Sequence, residues 1–322
     1  MRMYVAAAVA VLAASTAFAF GTIKGLGQNL EHERITRRAF TCAGNIADDA
    51  CFEKKTLASL AGAPGAFGAV GAPDRGTLVF KGEAHCDGGD YLDVAGYPQS
   101  KADAQAKIEA CRAWMVKHLD EAVAAAGGLL DAKGRIRNSE IPTIVACRYV
   151  GGKGRAKCNV LEAFGILLHA AQDFYSHTNW TDEADAGATS PSNPPGLNMR
   201  GPAPYLNLRG PQPFPAGLIS GCFEAKSAIS EPKNCNYGPN MTPRVKHIAL
   251  NKDKGTIDPQ IATGTTGRGK INQNFRHAVE AAIADTKDKW TTLKERLVAT
   301  YGPGNAKTMI CALTRDNPIK TC

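Results

Sequence analysis

The run His169-Ala-Ala-Gln-Asp173-Phe-Tyr-Ser-His177 spaces two imidazoles and one carboxylate at i, i+4 and i+8. On an α-helix this spacing spreads the three side chains over about 80° of the surface, so all three project to one side. Imidazole nitrogen and carboxylate oxygen are the donors that zinc and its borderline relatives take. The surrounding helix is apolar, so an unpaired Asp173 would be expensive to bury. A bound cation removes that cost. A buried His–Asp hydrogen-bond pair without a metal is the other arrangement that would.

One helix cannot surround a metal, so further ligands must come from elsewhere. The chain has seven histidines. His32 lies near the start, and His85 opens an acidic run containing Asp87, Asp90 and Asp93, with glycines that permit tight turns. Such a run is suited either to bridging metals or to a solvated turn. His118 shares an apolar stripe with Trp114 and Met115, where a satisfied core histidine is the simpler reading and a neutral ligand the other. His247 is followed four residues later by Asn251, and His277 three residues later by Glu280. Arg244 and Lys246, beside His247, are cations that could meet an anionic ligand but read more simply as surface groups.

The elements that must hold these residues are helical. Residues 31–40, 102–126, 160–180 and 274–297 carry apolar residues at helical spacing, and 160–180 is apolar on every side, as expected of a buried central helix. Strand signals are few and short, 77–80 being one. Two stretches break the pattern: 60–76, rich in Gly, Ala and Pro, and the proline-rich 185–216. The second is too long for a simple connection and reads as an insertion. The expectation is a mainly α, single-domain chain spanning residues 20–322.

Residues 1–19 follow the plan of a signal peptide: Arg2, an apolar run from Tyr4 to Ala14, then Ala17-Phe18-Ala19. The run is too short to cross a bilayer. Ten cysteines fall as near neighbours, in keeping with an exported disulfide-bonded protein, although spacing does not fix their pairing. The expected location is extracellular, or periplasmic in a Gram-negative source. A formal net charge of +8 suits an anionic substrate or surface. Asn179-Trp-Thr181 and Asn240-Met-Thr242 match glycosylation acceptors.

The segment Leu168-His169-Ala-Ala-Gln-Asp173-Phe-Tyr-Ser-His177-Thr-Asn-Trp180 resembles the signature of the HET-C-like proteins. These belong with the zinc-dependent phospholipases C and the single-strand nucleases of an all-α zinc hydrolase superfamily. His32-Glu-Arg-Ile-Thr-Arg-Arg-Ala39 is similar to that superfamily's first histidine motif. Glu83-Ala-His85-Cys-Asp87-Gly-Gly-Asp90-Tyr-Leu92 and His247-Ile-Ala-Leu-Asn251-Lys-Asp253 also resemble HET-C-like sequences. Together these segments span most of residues 20–322 in the right order.

The resemblance implies an all-α multi-helix bundle of the zinc-dependent phospholipase C type, with long irregular loops and local disulfides. It implies up to three zinc ions held by His32, His169, Asp173 and His177, a bridging aspartate (Asp90 or Asp87), and His118 or His85. Late ligands would come from His247, or from His277 with Glu280. Phe20, exposed as the new N-terminus, would ligate through its α-amino nitrogen and carbonyl oxygen; Trp is usual at that position in the family. The family chemistry is hydrolysis of a phosphodiester by a metal-activated water, with Asp90 or Asp87 accepting its proton. Phospholipid is the favoured substrate, with transient membrane-surface contact through apolar residues of 185–216. A single-stranded nucleic acid, or no substrate at all in a metal-stabilised interaction module, are the alternatives.

Overall fold

The computed structural model describes residues 20–22, 24–25, 28–43, 49–64, 66–142, 147, 149, 151–223, 235, 243–257 and 261–322. Residues 1–19, where a signal peptide is expected, and Asn240 lie outside the described residues. Among those described, helices dominate: α1 (Glu31–Phe40), α2 (Lys54–Ala61), α3 (Gly82–His85), α4 (Lys101–Ala126), α5 (Ala156–His177), α6 (Gly267–Lys270), α7 (Asn274–Thr314) and α8 (Pro318–Thr321). Three two-stranded antiparallel ribbons, at 24–29, 62–67 and 255–264, are the only sheets described.

Each long helix follows from its residues. In α4, the Ser100 hydroxyl caps the first turn by accepting from Asp103 N–H, and Ile108, Cys111, Met115, Leu119 and Ala122 form one buried stripe. In α5, every residue from Val160 to His177 is buried, so the helix is enclosed on all sides. Gly165 makes this possible, because a Cβ there would sit 2.4 Å from the Ala69 backbone. The turn Ala69–Gly71 therefore lies directly on the α5 backbone. In α7 the axis breaks at Gly302, whose φ of 76° is left-handed, with Pro303 next.

The core is continuous from Phe20 to Leu313 and is centred where α5 packs on α4 and α7. At one end Phe40, Phe52, Phe164 and Trp290 form an aromatic cluster with ring centroids 4.8–6.5 Å apart. All five disulfides join sequence neighbours: Cys42–Cys51, Cys86–Cys111, Cys147–Cys158, Cys222–Cys235 and Cys311–Cys322. No helix among the described residues is long and apolar enough to cross a membrane.

Two local expectations change. Residues 77–80 are not a strand but part of a 3-10 turn, Gly76–Phe80. It begins at a left-handed Gly76 and buries only Val79, and no strand among the described residues pairs with it. The 185–216 segment is irregular but well anchored. Arg112 of α4 donates to the carbonyls of Tyr205, Asn207 and Gly210, and Tyr175 Oη accepts from Ala203 N–H. Tyr205, Leu206 and Leu208 are buried, Leu197 and Phe214 pack on the core, and Met199 alone of these apolar residues is strongly exposed. The apolar surface expected for membrane contact has turned inward.

Candidate metal centre

The last two turns of α5 carry His169, Asp173 and His177, all nearly inaccessible to solvent. α1 brings His32 to the same place, and the end of α3 brings His85. Asp173 sits among three imidazoles. Its Oδ1 is 3.1 Å from His32 Nε2, and its Oδ2 is 3.0 Å from both His169 Nε2 and His85 Nδ1. Asp74, from the loop after the 69–71 turn, completes this side: its Oδ1 is 3.7 Å from His169 Nε2 and 3.9 Å from His85 Nδ1.

A second group lies at the end of α5. His177 Nε2 is 3.0 Å from Asp253 Oδ1 and its Nδ1 is 3.1 Å from Asp87 Oδ1, while His247 Nε2 is 3.4 Å from Asp253 Oδ2. Three sets of donor atoms fall within 4.8 Å of one another: His32, His169 and Asp173; Asp74, His85 and His169; and Asp87, His177 and His247. These clusters could hold metal ions.

The hydrogen bonds around the rings fit that use. His169 Nδ1–H donates to the Val70 carbonyl at 2.8 Å, His177 Nδ1–H to the His85 carbonyl at 2.8 Å, and His32 Nδ1–H to Gln172 Oε1 at 2.7 Å. Each bond fixes the proton on Nδ1 and leaves Nε2 as a lone pair aimed inward, the arrangement typical of metal-ligating histidines. His32 Nε2, Asp173 Oδ1, Asp87 Oδ1 and Asp253 Oδ2 are buried without a hydrogen-bond partner among the described residues. Buried polar atoms normally have one, and so many orphans in one place fit a missing cation. Asn251 Oδ1 is also unpartnered, and its amide lies 3.2 Å from His247 Nδ1. With the amide oxygen toward the ring, His247 Nδ1–H donates to it and Nε2 becomes the free acceptor.

Electrostatics point the same way. Burial resists ionisation of Asp173, but His169, His32 and His177 outweigh it and hold the carboxyl well below the usual range. Burial lowers His169, against the pull of Asp173 and Asp74, and so favours its neutral, ligating form. Burial likewise opposes charge on His177, yet Asp87 and Asp253 overcome it and raise that ring well above its ordinary value. That excess of carboxylate around a buried imidazole is what a cation would balance.

Not every candidate joins the cluster. Asp90 is buried in an ion pair with Arg244, whose Nε–H donates to Oδ2 at 2.7 Å, and Tyr97 Oη–H donates to the same oxygen at 2.5 Å. Neither Asp90 nor Arg244 is therefore available for bridging or for binding phosphate. Lys246, half-buried, pairs its backbone with Cys222. His118 sits on α4 with Nδ1 2.7 Å from Glu121 Oε2 and lines a separate cleft of about 1280 Å³. His277 is half-buried near Arg200, Glu280 and Glu183, and Glu280 is exposed and bound to Arg276.

Phe20 is fully buried, its ring 5.9 Å from His32 and edge-on. Its neighbour Gly21 donates to the Asp253 carbonyl and accepts from His32 N–H. Asn179 is buried with its side chain bonded to Pro195, Gly217 and Ile219, which leaves no room for a glycan.

The structure adds two carboxylates, Asp74 and Asp253, to those that the sequence pattern marks as ligands. Asp74 lies in a Gly- and Ala-rich stretch without a spaced partner. Asp253 belongs to the 247–253 segment, but its separation from His247 matches no helical spacing. Comparison with known proteins finds no family model, no curated protein and no solved structure that matches this chain.

Proposed function

We propose that this protein is a metal-dependent hydrolase of phosphate esters, with zinc as the ion. The observation that carries the reading is the position of Asp173, one oxygen toward His32 and the other toward His85 and His169, with the His177 group one helical turn away. Such a shared carboxylate suits a multinuclear site. The sequence resemblance of the 168–180 segment to zinc-dependent phosphodiester hydrolases supplies the reaction class.

Zinc bound there would polarise a phosphoryl oxygen and lower the pKa of a water to near neutrality. The chain's own residues do the rest. His169, His32 and His177 are held in their ligating tautomers by Val70, Gln172 and the His85 carbonyl. Asp74 is the proton acceptor in this account, with Asp87 beside the second group. Asp74 Oδ2 is anchored by Thr22 Oγ–H at 2.8 Å, and Oδ1 faces His169 and His85 at 3.7 and 3.9 Å, beside the position a metal-bound water would take.

The substrate class proposed is a phosphodiester. The inward packing of Tyr205, Leu206 and Leu208 withdraws the surface that favoured a phospholipid, so lipid and single-stranded nucleic acid are separated by assay. The test is hydrolysis of bis(4-nitrophenyl) phosphate by the purified protein. Activity should disappear with a chelator, return with zinc and be absent in His169→Ala. A metal-loaded protein with no turnover on this ester, on phosphatidylcholine vesicles or on single-stranded DNA would instead be a metal-stabilised binding module.

A further inference from the structure

A cleft of about 440 Å³ opens beside the cluster, and His85 and Asp87 form part of its wall. The volume suits a small ligand. The cations lining it are Lys81, Lys107 and Arg244. Arg244 is neutralised by Asp90. Lys81 is exposed, and its ammonium is 3.5 Å from Glu83 at the rim, a weak contact. Lys107 has no ion pair among the described residues, and its Cγ passes 3.9 Å from where a Cβ on Gly88 would sit. Two carboxylates also line the cleft, Glu83 and Asp87. With Asp87 turned to His177 as a candidate metal ligand, two lysines face the one remaining carboxylate, and that excess positive charge stands next to the cluster.

A second observation points to a ligand. His85 is 5% exposed, its Nδ1 faces Asp173 and His169, and its Nε2 has no hydrogen-bond partner. With Nδ1 turned to the cluster, Nε2 carries the proton as a buried donor in the cleft wall. The apolar part of the lining includes Phe80, 49% exposed, and Phe223, whose ring is 5.3 Å from that of His247. The cleft thus touches both metal groups, the first through His85 and the second through Asp87 and Phe223.

We infer that this cleft seats the phosphoryl group of the substrate, with Lys107 and Lys81 balancing its charge and His85 Nε2–H donating to one of its oxygens. Phe80 and Phe223 receive an aromatic or apolar ester group. The ligand class is a small phosphate ester carrying such a group. The inference rests on the hydrolase reading only for calling the ligand a substrate.

The probes are inorganic phosphate and phenyl phosphate, titrated calorimetrically into the zinc-loaded full chain, alongside hydrolysis of bis(4-nitrophenyl) phosphate. Lys107→Ala should weaken both anions by about tenfold or more and raise KM, with zinc content unchanged. Lys107→Arg should recover most of the loss. Phe80→Ala should weaken phenyl phosphate severalfold and leave inorganic phosphate unaffected. Both side chains are exposed, so these variants should fold. Unchanged anion affinity in Lys107→Ala and in Lys81→Ala would overturn the inference even if hydrolysis is intact. Lys107-dependent anion binding without any hydrolysis would uphold the site and overturn the hydrolase reading.

Discussion

His32 Nε2 and Asp173 Oδ1 stand 3.1 Å apart, fully buried. Behind the ring, Gln172 Oε1 accepts the proton of His32 Nδ1 and so turns Nε2 toward the carboxylate. Gln172 is itself fixed by donating to Thr36 and Thr286. Gln172→Leu should release the ring and lower zinc affinity by about 10–100-fold, the usual effect of losing a partner behind a ligating histidine. Competition against a chromogenic chelator measures this. Unaltered affinity would show that Gln172 does not set the tautomer.

Gly165→Ala tests the other support of the site. The added methyl would meet Ala69 at 2.4 Å and Val70 N at 2.7 Å, both backbone contacts. The 69–71 turn must move, and with it the Val70 carbonyl that holds His169. A loss of about 1–3 kcal/mol is expected in chemical denaturation, together with weaker metal binding. Wild-type stability in the variant would mean the turn yields freely.

Asp182 is buried between two cations, Lys252 Nζ at 2.9 Å and Arg268 Nε at 3.0 Å. Lys252 precedes Asp253, and its backbone N–H donates to the Ser176 carbonyl beside His177. Asp182→Asn leaves two buried charges without their counter-ion and should cost about 3–5 kcal/mol. Thermal and urea unfolding should both register it, and a loss below 1 kcal/mol would contradict the assignment.

Lys157 supplies a pH dependence remote from the metal site. Burial lowers its pKa from 10.5 to about 8, although Asp316 and Glu53 pull it upward, and its ammonium donates to Thr56 and the Arg315 carbonyl. Between these values the unfolded chain binds more protons than the folded one, so stability should rise with pH through that window. The gain approaches about 3 kcal/mol above pH 10.5 and is absent below about pH 8. Lys157→Met should remove this slope. Equal unfolding free energies from urea titrations at pH 7.5 and 10 would count against it.

Much of the fold is readable from local pattern. The buried stripe of α4 and the all-round apolar α5 follow from periodicity and length, and helical spacing is enough to put His169, Asp173 and His177 together. Non-local relations are not readable in this way. Asp90 looks like the better bridging aspartate until Arg244, 154 residues away, is found to neutralise it. His118 lies on an apolar stripe, but periodicity does not say which neighbour that stripe meets. Residues 77–80 carry strand-type side chains, yet a strand needs a partner and none among the described residues pairs with them. Asp74 has no spacing signal at all, because a loop delivers it.

The most direct test is the number of zinc ions per chain, measured by mass spectrometry in the wild type and in Asp173→Ala. More than one zinc is expected in the wild type. Asp173→Ala should lose the ions near His32, His85 and His169 while keeping the one held by His177, His247, Asp87 and Asp253. A wild type that binds no zinc, or an Asp173→Ala protein with the full complement, would contradict a multinuclear site at Asp173.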